Sequence, residues 1–172
     1  MKAREVALAG LFVALTAVSA QVQIPLGPVP FTLQVLVVLL SGLILGPKLG
    51  FVSQALYVLA GAIGLPVFAG FTGGFVHLYG PTGGYLLAFP VAALVAGVFS
   101  KGWENPVMWA AGSLLGLGVI YLLGWLRLGL YLGGDFGKAF AVGVLPFVPV
   151  DVAKAVLAVG IARAVRMALP WL

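Results

Sequence analysis

Thirteen Asp, Glu, Lys and Arg side chains serve all 172 residues, while 63% of the chain is hydrophobic. A water-soluble domain carries about 25% charged and about 45–50% apolar residues, so this chain cannot dress the surface of a soluble globule. Disorder fails on the same numbers, because disordered segments lack apolar residues. What remains is a polytopic membrane protein. The formal charge of +5 does not indicate nucleic acid, since a nucleic-acid binder needs a clustered basic face and these basic residues stand singly. With no cysteine in the chain, disulfide scaffolds, thiolate metal sites and thiol nucleophiles are excluded together.

Hydropathy and Gly/Pro punctuation divide the chain into six candidate spans. The first covers about residues 5–22. No small-residue cleavage site follows it, so it is expected to stay as a span rather than be removed. It ends at Pro25, Pro28 and Pro30, which forbid a continuous helix. The second and third, about 31–45 and 49–63, form a helical hairpin turning at Gly46-Pro47-Lys48. Fifteen residues at 1.5 Å rise reach roughly 22 Å, short of a ~30 Å hydrocarbon core. The Gly-rich connector 65–82 is too apolar for an ordinary solvated loop and is expected to fold back over the bundle. The fourth span is about 83–100, stopped by Lys101-Gly102-Trp103-Glu104-Asn105. The fifth, about 106–126, opens on Pro106, whose missing N–H costs nothing in a first helical turn. A connector with Arg127, Asp135 and Lys138 leads to a split sixth span: an apolar piece at 139–145, then Pro146 and Pro149, then a helix over about 150–166.

With the N-terminus inside, Lys2, Arg4, Lys48, Lys101, Arg163 and Arg166 fall on the cytoplasmic side, six of the nine basic residues. Arg127 and Lys138 fall outside, and Lys154 lies within a span. The positive-inside rule thus favours an all-α bundle of six transmembrane helices forming one unit over residues 1–172, with both termini cytoplasmic.

Asp151 and Lys154 are the most informative residues. A charge at a membrane-helix centre costs about 2.5–3.5 kcal/mol on the insertion scale, so an intramembrane pair is by default a functional site. Their i, i+3 spacing puts both on one face, just after the Pro146/Pro149 break. A helix interrupted within the membrane presents unpaired backbone groups to a cavity and suits a polar ligand. A structural ion pair, or an Asp acting as helix cap, is the plainer reading. Thr32 and Gln34, beside Phe31 and preceded by Gln21 and Gln23, place neutral hydrogen-bonding groups at the outer mouth, where Thr32 alternatively caps a helix N-terminus. His77 has no second imidazole or spaced carboxylate near it and reads as a polar loop residue, so neither a metal site nor a triad is expected. Small-xxx-small spacings recur among the 25 glycines, and Gly10/Ala14 on the first span offers a smooth patch for another membrane subunit. No phosphate-binding Gly-x-x-x-x-Gly-Lys-Ser/Thr loop occurs. Uphill transport would therefore draw on an ion gradient or on other chains, and Asp151 is the one clear acidic candidate for ion coupling.

Four stretches carry a resemblance to a known family: residues 21–34 (Gln-Val-Gln-Ile-Pro-Leu-Gly-Pro-Val-Pro-Phe-Thr-Leu-Gln), 61–70 (Gly-Ala-Ile-Gly-Leu-Pro-Val-Phe-Ala-Gly), 80–86 (Gly-Pro-Thr-Gly-Gly-Tyr-Leu) and 145–154 (Leu-Pro-Phe-Val-Pro-Val-Asp-Val-Ala-Lys). In this order, nearly spanning the chain, they resemble the BioY family, the biotin-binding S components of energy-coupling factor transporters. The fifth span matches no motif, and Val150 stands where the family commonly has Gly. The resemblance implies a multi-pass protein of the bacterial inner membrane, without catalytic activity, metal or cofactor. It would capture biotin from outside and associate with a transmembrane coupling subunit and two cytoplasmic ATPases, which spend the ATP. It implies Asp151, Lys154, Thr32, Gln34, Phe31, Phe68, Gly83 and Tyr85 as ligand-binding residues, and Gly10 with Ala14 as the docking motif, Gly replacing one Ala. Asp151 suits the ureido N–H groups of biotin and Lys154 its carboxylate, although one helical turn of separation equally lets both serve one polar end. The alternative is an autonomous ion-coupled secondary transporter of a small carboxylate or vitamin. A membrane enzyme using Asp151 as base finds no His or Cys partner in the spans.

Overall fold

The computed structural model describes residues 2–102 and 105–170. Among these it forms eight helices and one two-stranded ribbon. The first helix, α1 (Ala3–Gln21), starts where the Glu5 carboxylate accepts the Lys2 backbone N–H at 2.7 Å, satisfying a donor that the helix itself leaves open. The prolines that stop it sit in the turn of an antiparallel ribbon of β1 (Gln23–Ile24) and β2 (Phe31–Thr32). Next come α2 (Gln34–Leu45) and α3 (Pro47–Ala62). Gly46, at φ 81°, joins them in a conformation that a side chain would strain. A loop and the four-residue α4 (Val76–Tyr79) lead to α5 (Gly83–Ser100). Asn105, accepting the Val107 N–H, caps α6 (Pro106–Tyr131), and Asp135, accepting the Lys138 N–H, caps α7 (Phe136–Gly143). The last helix is α8 (Val148–Ala168).

Among the described residues three helices, α1, α5 and α6, are each long and apolar enough to cross a bilayer, and α7 with α8, bent by 54° at the break, is a candidate for a fourth span or a re-entrant loop. This agrees with the split expected at Pro146 and Pro149. α2 and α3 have only 12 and 16 residues, as their short apolar runs indicate. Apolar side chains face outward along the helices, among them Val18, Leu59 and Val156, all more than half exposed. Such a belt suits the hydrocarbon of a bilayer or the apolar surface of a membrane partner.

Within the bundle α5 is central, with 67% of its span buried against 28% for α1. It packs on α6, α2 and α3. Glycines allow that approach: a Cβ on Gly42 of α2 would strike the Ala93 carbonyl of α5, and one on Gly84 of α5 would strike the Leu123 carbonyl of α6. One core cluster gathers Tyr57, Phe68, Tyr85, Phe89, Ile120 and Phe147 at the end where α2 begins. A second, with Phe12, Leu39, Leu43, Trp109 and Ala158, fills the other end.

Several boundaries differ from those read in the sequence. α6 continues to Tyr131, so Arg127 lies on a helix and not in a connector. Its guanidinium donates to the Tyr79 carbonyl and lies 5.8 Å from the Tyr79 ring centroid, so the charge needs no loop, and termination waits for Gly133 and Gly134 at positive φ. α8 begins at Val148 rather than 150, because Pro149 fits a first helical turn. Thr32 belongs to β2 rather than to a helix cap, although its hydroxyl still accepts the Gln34 N–H at 3.2 Å. The 63–75 loop does fold back, burying Phe68 on Tyr57. Trp103 and Glu104 lie outside the described residues.

Filling the glycine contacts should cost about 1–3 kcal/mol each through overpacking. Gly42→Leu and Gly84→Leu are expected to lower the unfolding midpoint in detergent. Gly118→Ala, where a Cβ meets nothing within 4 Å, should leave it unchanged or raise it.

Candidate functional site

The break between α7 and α8 sets the site. Asp151 lies one turn into α8, its N–H bonded to the Phe147 carbonyl at 2.9 Å. Its carboxylate holds Lys154 at 2.7 Å through Oδ1 and accepts the Tyr121 hydroxyl at 2.7 Å through Oδ2. Lys154 Nζ also donates to the Thr32 carbonyl at 2.6 Å and sits 4.0 Å from the Phe31 ring centroid. Both charged residues are buried, at 3% and 5% exposure. Burial of an ion pair is tolerated only when its remaining donors and acceptors find partners. Here α6, β2 and an aromatic face supply them.

Beside the pair runs a neutral chain of hydrogen bonds. The Thr32 hydroxyl donates to Gln34 Oε1 at 3.0 Å, Gln34 Nε2 to the Tyr57 hydroxyl at 2.7 Å, and that hydroxyl to the Val67 carbonyl at 2.9 Å. Gln21 holds the same loop from α1, donating to the Phe68 carbonyl at 3.1 Å and accepting the Phe71 N–H at 2.8 Å. The Phe68 ring meets Tyr57 and His77 edge-on, with centroids 5.8 Å apart in each case.

These groups surround a cavity of about 610 Å³, within the range of small-molecule sites. Of the residues read from the sequence, Asp151, Lys154, Thr32, Gln34, Gln23, Phe68 and Tyr85 line it. Phe31 and Gly83 do not. Phe31 backs Lys154 and stacks on Phe147, while a Cβ on Gly83 would strike the Leu78 carbonyl, so its absence lets α5 start close to α4. Tyr85 contributes its ring, and its hydroxyl donates to the Gly143 carbonyl at 2.7 Å. Gly10 and Ala14 lie apart, on an exposed face of α1 that also carries Val6 and Leu11.

The wall also contains residues that the sequence reading passed over. Tyr121 is one, on the span that carried no motif, and Phe89 and Phe147 are others. His77, read as a plain loop residue, stands on the wall against Phe68. The only signal for Tyr121 and Tyr57 is a phenol within an apolar span, whose hydroxyl needs a partner when buried. Among the described residues no three His, Cys, Asp or Glu side chains converge as metal ligands do. The arrangement can accept, donate and stack. Such a set of groups suits an amphipathic small molecule with a polar head.

The family model described as BioY matches residues 1–171. A Pyrococcus horikoshii protein described as "Probable biotin transporter BioY" is 55% identical over 163 residues, 95% of this chain and 96% of its own. The biotin transporter BioY of Thermotoga maritima is 50% identical over 159 residues, 92% of this chain and 94% of its own. A crystal structure of the S component for biotin from an ECF-type ABC transporter superposes with a TM-score of 0.90 at 29% identity, covering 96% of this chain and 92% of that one.

The pair itself predicts a thermodynamic signature. Lys154→Met strands a buried carboxylate and should cost about 3–5 kcal/mol of stability. The double variant Asp151→Asn with Lys154→Met should lose clearly less than the sum of the two single losses, measured by denaturant unfolding in detergent.

Proposed function

The chain belongs to the BioY family, and from that premise we propose that it captures biotin as the S component of an energy-coupling factor transporter. It is a transporter subunit and not an enzyme. The observation that carries this reading is the buried Asp151–Lys154 pair on the wall of a 610 Å³ cavity at a helix break.

Biotin asks of a site an acceptor for its ureido N–H groups, a donor or cation for its oxygens, and an apolar wall for its fused rings and valeryl chain. Asp151 and Gln34 accept, Lys154 donates, Thr32 aligns Gln34, and Phe68 with Tyr85 forms the wall. Phe31 and Gly83 act from behind it, the first on Lys154 and the second on the start of α5. The protein itself uses no cofactor.

In this reading six spans, two of them short, cross the cell membrane with both termini cytoplasmic. The cavity opens outward, and biotin is delivered through a transmembrane coupling subunit driven by two cytoplasmic ATPases. The missing phosphate-binding loop supports an external energy source. The exposed Gly10/Ala14 face, where a Cβ on Gly10 meets nothing within 4 Å, supports close docking of the coupling subunit on α1.

Calorimetric titration of the purified chain with biotin tests the ligand. Wild type should bind, and Asp151→Asn or Lys154→Ala should weaken binding about tenfold or more, as loss of a charged hydrogen bond does. A folded wild type that ignores biotin would overturn the reading. Gly10→Trp with Ala14→Trp should keep binding and abolish uptake by the assembled complex. Uptake into proteoliposomes by this chain alone, collapsing with an ionophore, would establish the ion-coupled alternative instead.

A further inference from the structure

Val67 contributes only its backbone carbonyl to the hydrogen-bond chain, and a carbonyl accepts without donating. The Tyr57 hydroxyl 2.9 Å away must therefore donate to it. A phenol has one proton, so toward Gln34, at 2.7 Å, the same oxygen can only accept. That sets the direction of the Gln34 amide: its NH2 turns to Tyr57 and its oxygen to Thr32. The other end is compatible with that order without imposing it, because a hydroxyl oxygen that accepts one N–H is able to accept another. The Thr32 oxygen accepts the Gln34 backbone N–H at 3.2 Å, which leaves its proton for Gln34 Oε1 at 3.0 Å.

Gln34 and Thr32 line the cavity, whereas Tyr57 is fully buried behind it. A glutamine amide in an unconstrained site presents oxygen or nitrogen equally well. We infer that Tyr57 is a positioning residue that fixes the direction of the Gln34 amide, committing one N–H of Nε2 to its own hydroxyl and leaving Oε1 as the acceptor beside Thr32, and that this polarity selects ligands bearing an N–H at Oε1. Thr32 occupies one lone pair of Oε1, and the second is left for the ligand. The Asp151 carboxylate is a second acceptor on the cavity wall, so a ligand with two N–H groups, such as a cyclic urea, suits the two acceptors, while Lys154 is left to meet an oxygen. The inference rests on the biotin reading, under which Gln34 accepts one ureido N–H.

The test compares biotin with its two isomeric cyclic carbamates, in which one ureido N–H is replaced by an ether oxygen. Wild type should reject one isomer by about a hundredfold or more, because that oxygen meets the fixed Gln34 oxygen. In Tyr57→Phe the amide is free to turn its NH2 to the ether oxygen, so the ratio of the two affinities should fall about tenfold or more. Gln34→Met should erase the preference whether or not Tyr57→Phe is present, and it provides the test if Tyr57→Phe does not fold. An unchanged biotin-to-carbamate ratio in Tyr57→Phe, even with both affinities reduced, overturns the inference, as does a wild-type ratio in Gln34→Met. A folded wild type that binds no biotin would instead overturn the ligand reading, so the two failures are separable.

Discussion

An Asp and a Lys buried in an apolar bundle lose several kcal/mol per ion of hydration, and only a complete set of partners makes the loss tolerable. Asp151 and Lys154 meet that condition through elements far apart in the chain: the Tyr121 hydroxyl from α6, the Thr32 carbonyl from β2, and the Phe31 ring. The ribbon must therefore lie against α8, and α6 must approach it as well. Much of the arrangement at this end of the molecule follows. The Phe31–Phe147 stack joins the ribbon to the helix break itself, and the neutral chain from Thr32 to Val67 extends the same polar wall to the loop that carries Phe68.

Close helix packing supplies the frame. With α5 at the centre and backbone in contact at Gly42 and Gly84, the bundle is drawn tightly together without the hydrophobic driving force that acts in water. At the cavity end the same economy serves the site. Gly124 leaves room for the Tyr85 ring, and Gly61 leaves room for Phe68. Bulky aromatic walls and glycine gaps are thus paired features, with the glycine on one helix and the ring on another element.

The legible parts of the fold were those with local causes. Apolar runs and Gly/Pro punctuation mark the helices, the short α2 and α3, and the broken last span, because each depends on hydropathy or on a missing N–H within a few residues. Asp151 and Lys154 were legible because membrane burial makes a charge conspicuous without any knowledge of its neighbours. Arg127 was not. It resembles a loop charge until its partner, the carbonyl of Tyr79, is seen across 48 residues of chain. Tyr57 and Tyr121 were missed for a related reason: tyrosine is common in membrane proteins, so their importance lies wholly in what they touch.

By itself the sequence determined that the chain belongs in a bilayer, roughly where its long helices lie, and which two charges require explanation. It also carried the motifs that identify the family. The tertiary structure alone decided that Lys154 reaches the Thr32 carbonyl and Asp151 the Tyr121 hydroxyl. It also placed Phe31 and Gly83 behind the cavity wall rather than on it, and gave the Gln34 amide a direction. The bonds Gln34–Tyr57, Tyr121–Asp151 and Lys154–Thr32 join residues 23, 30 and 122 positions apart. Residue type states what a side chain is able to donate or accept, and only folding states which partner receives it.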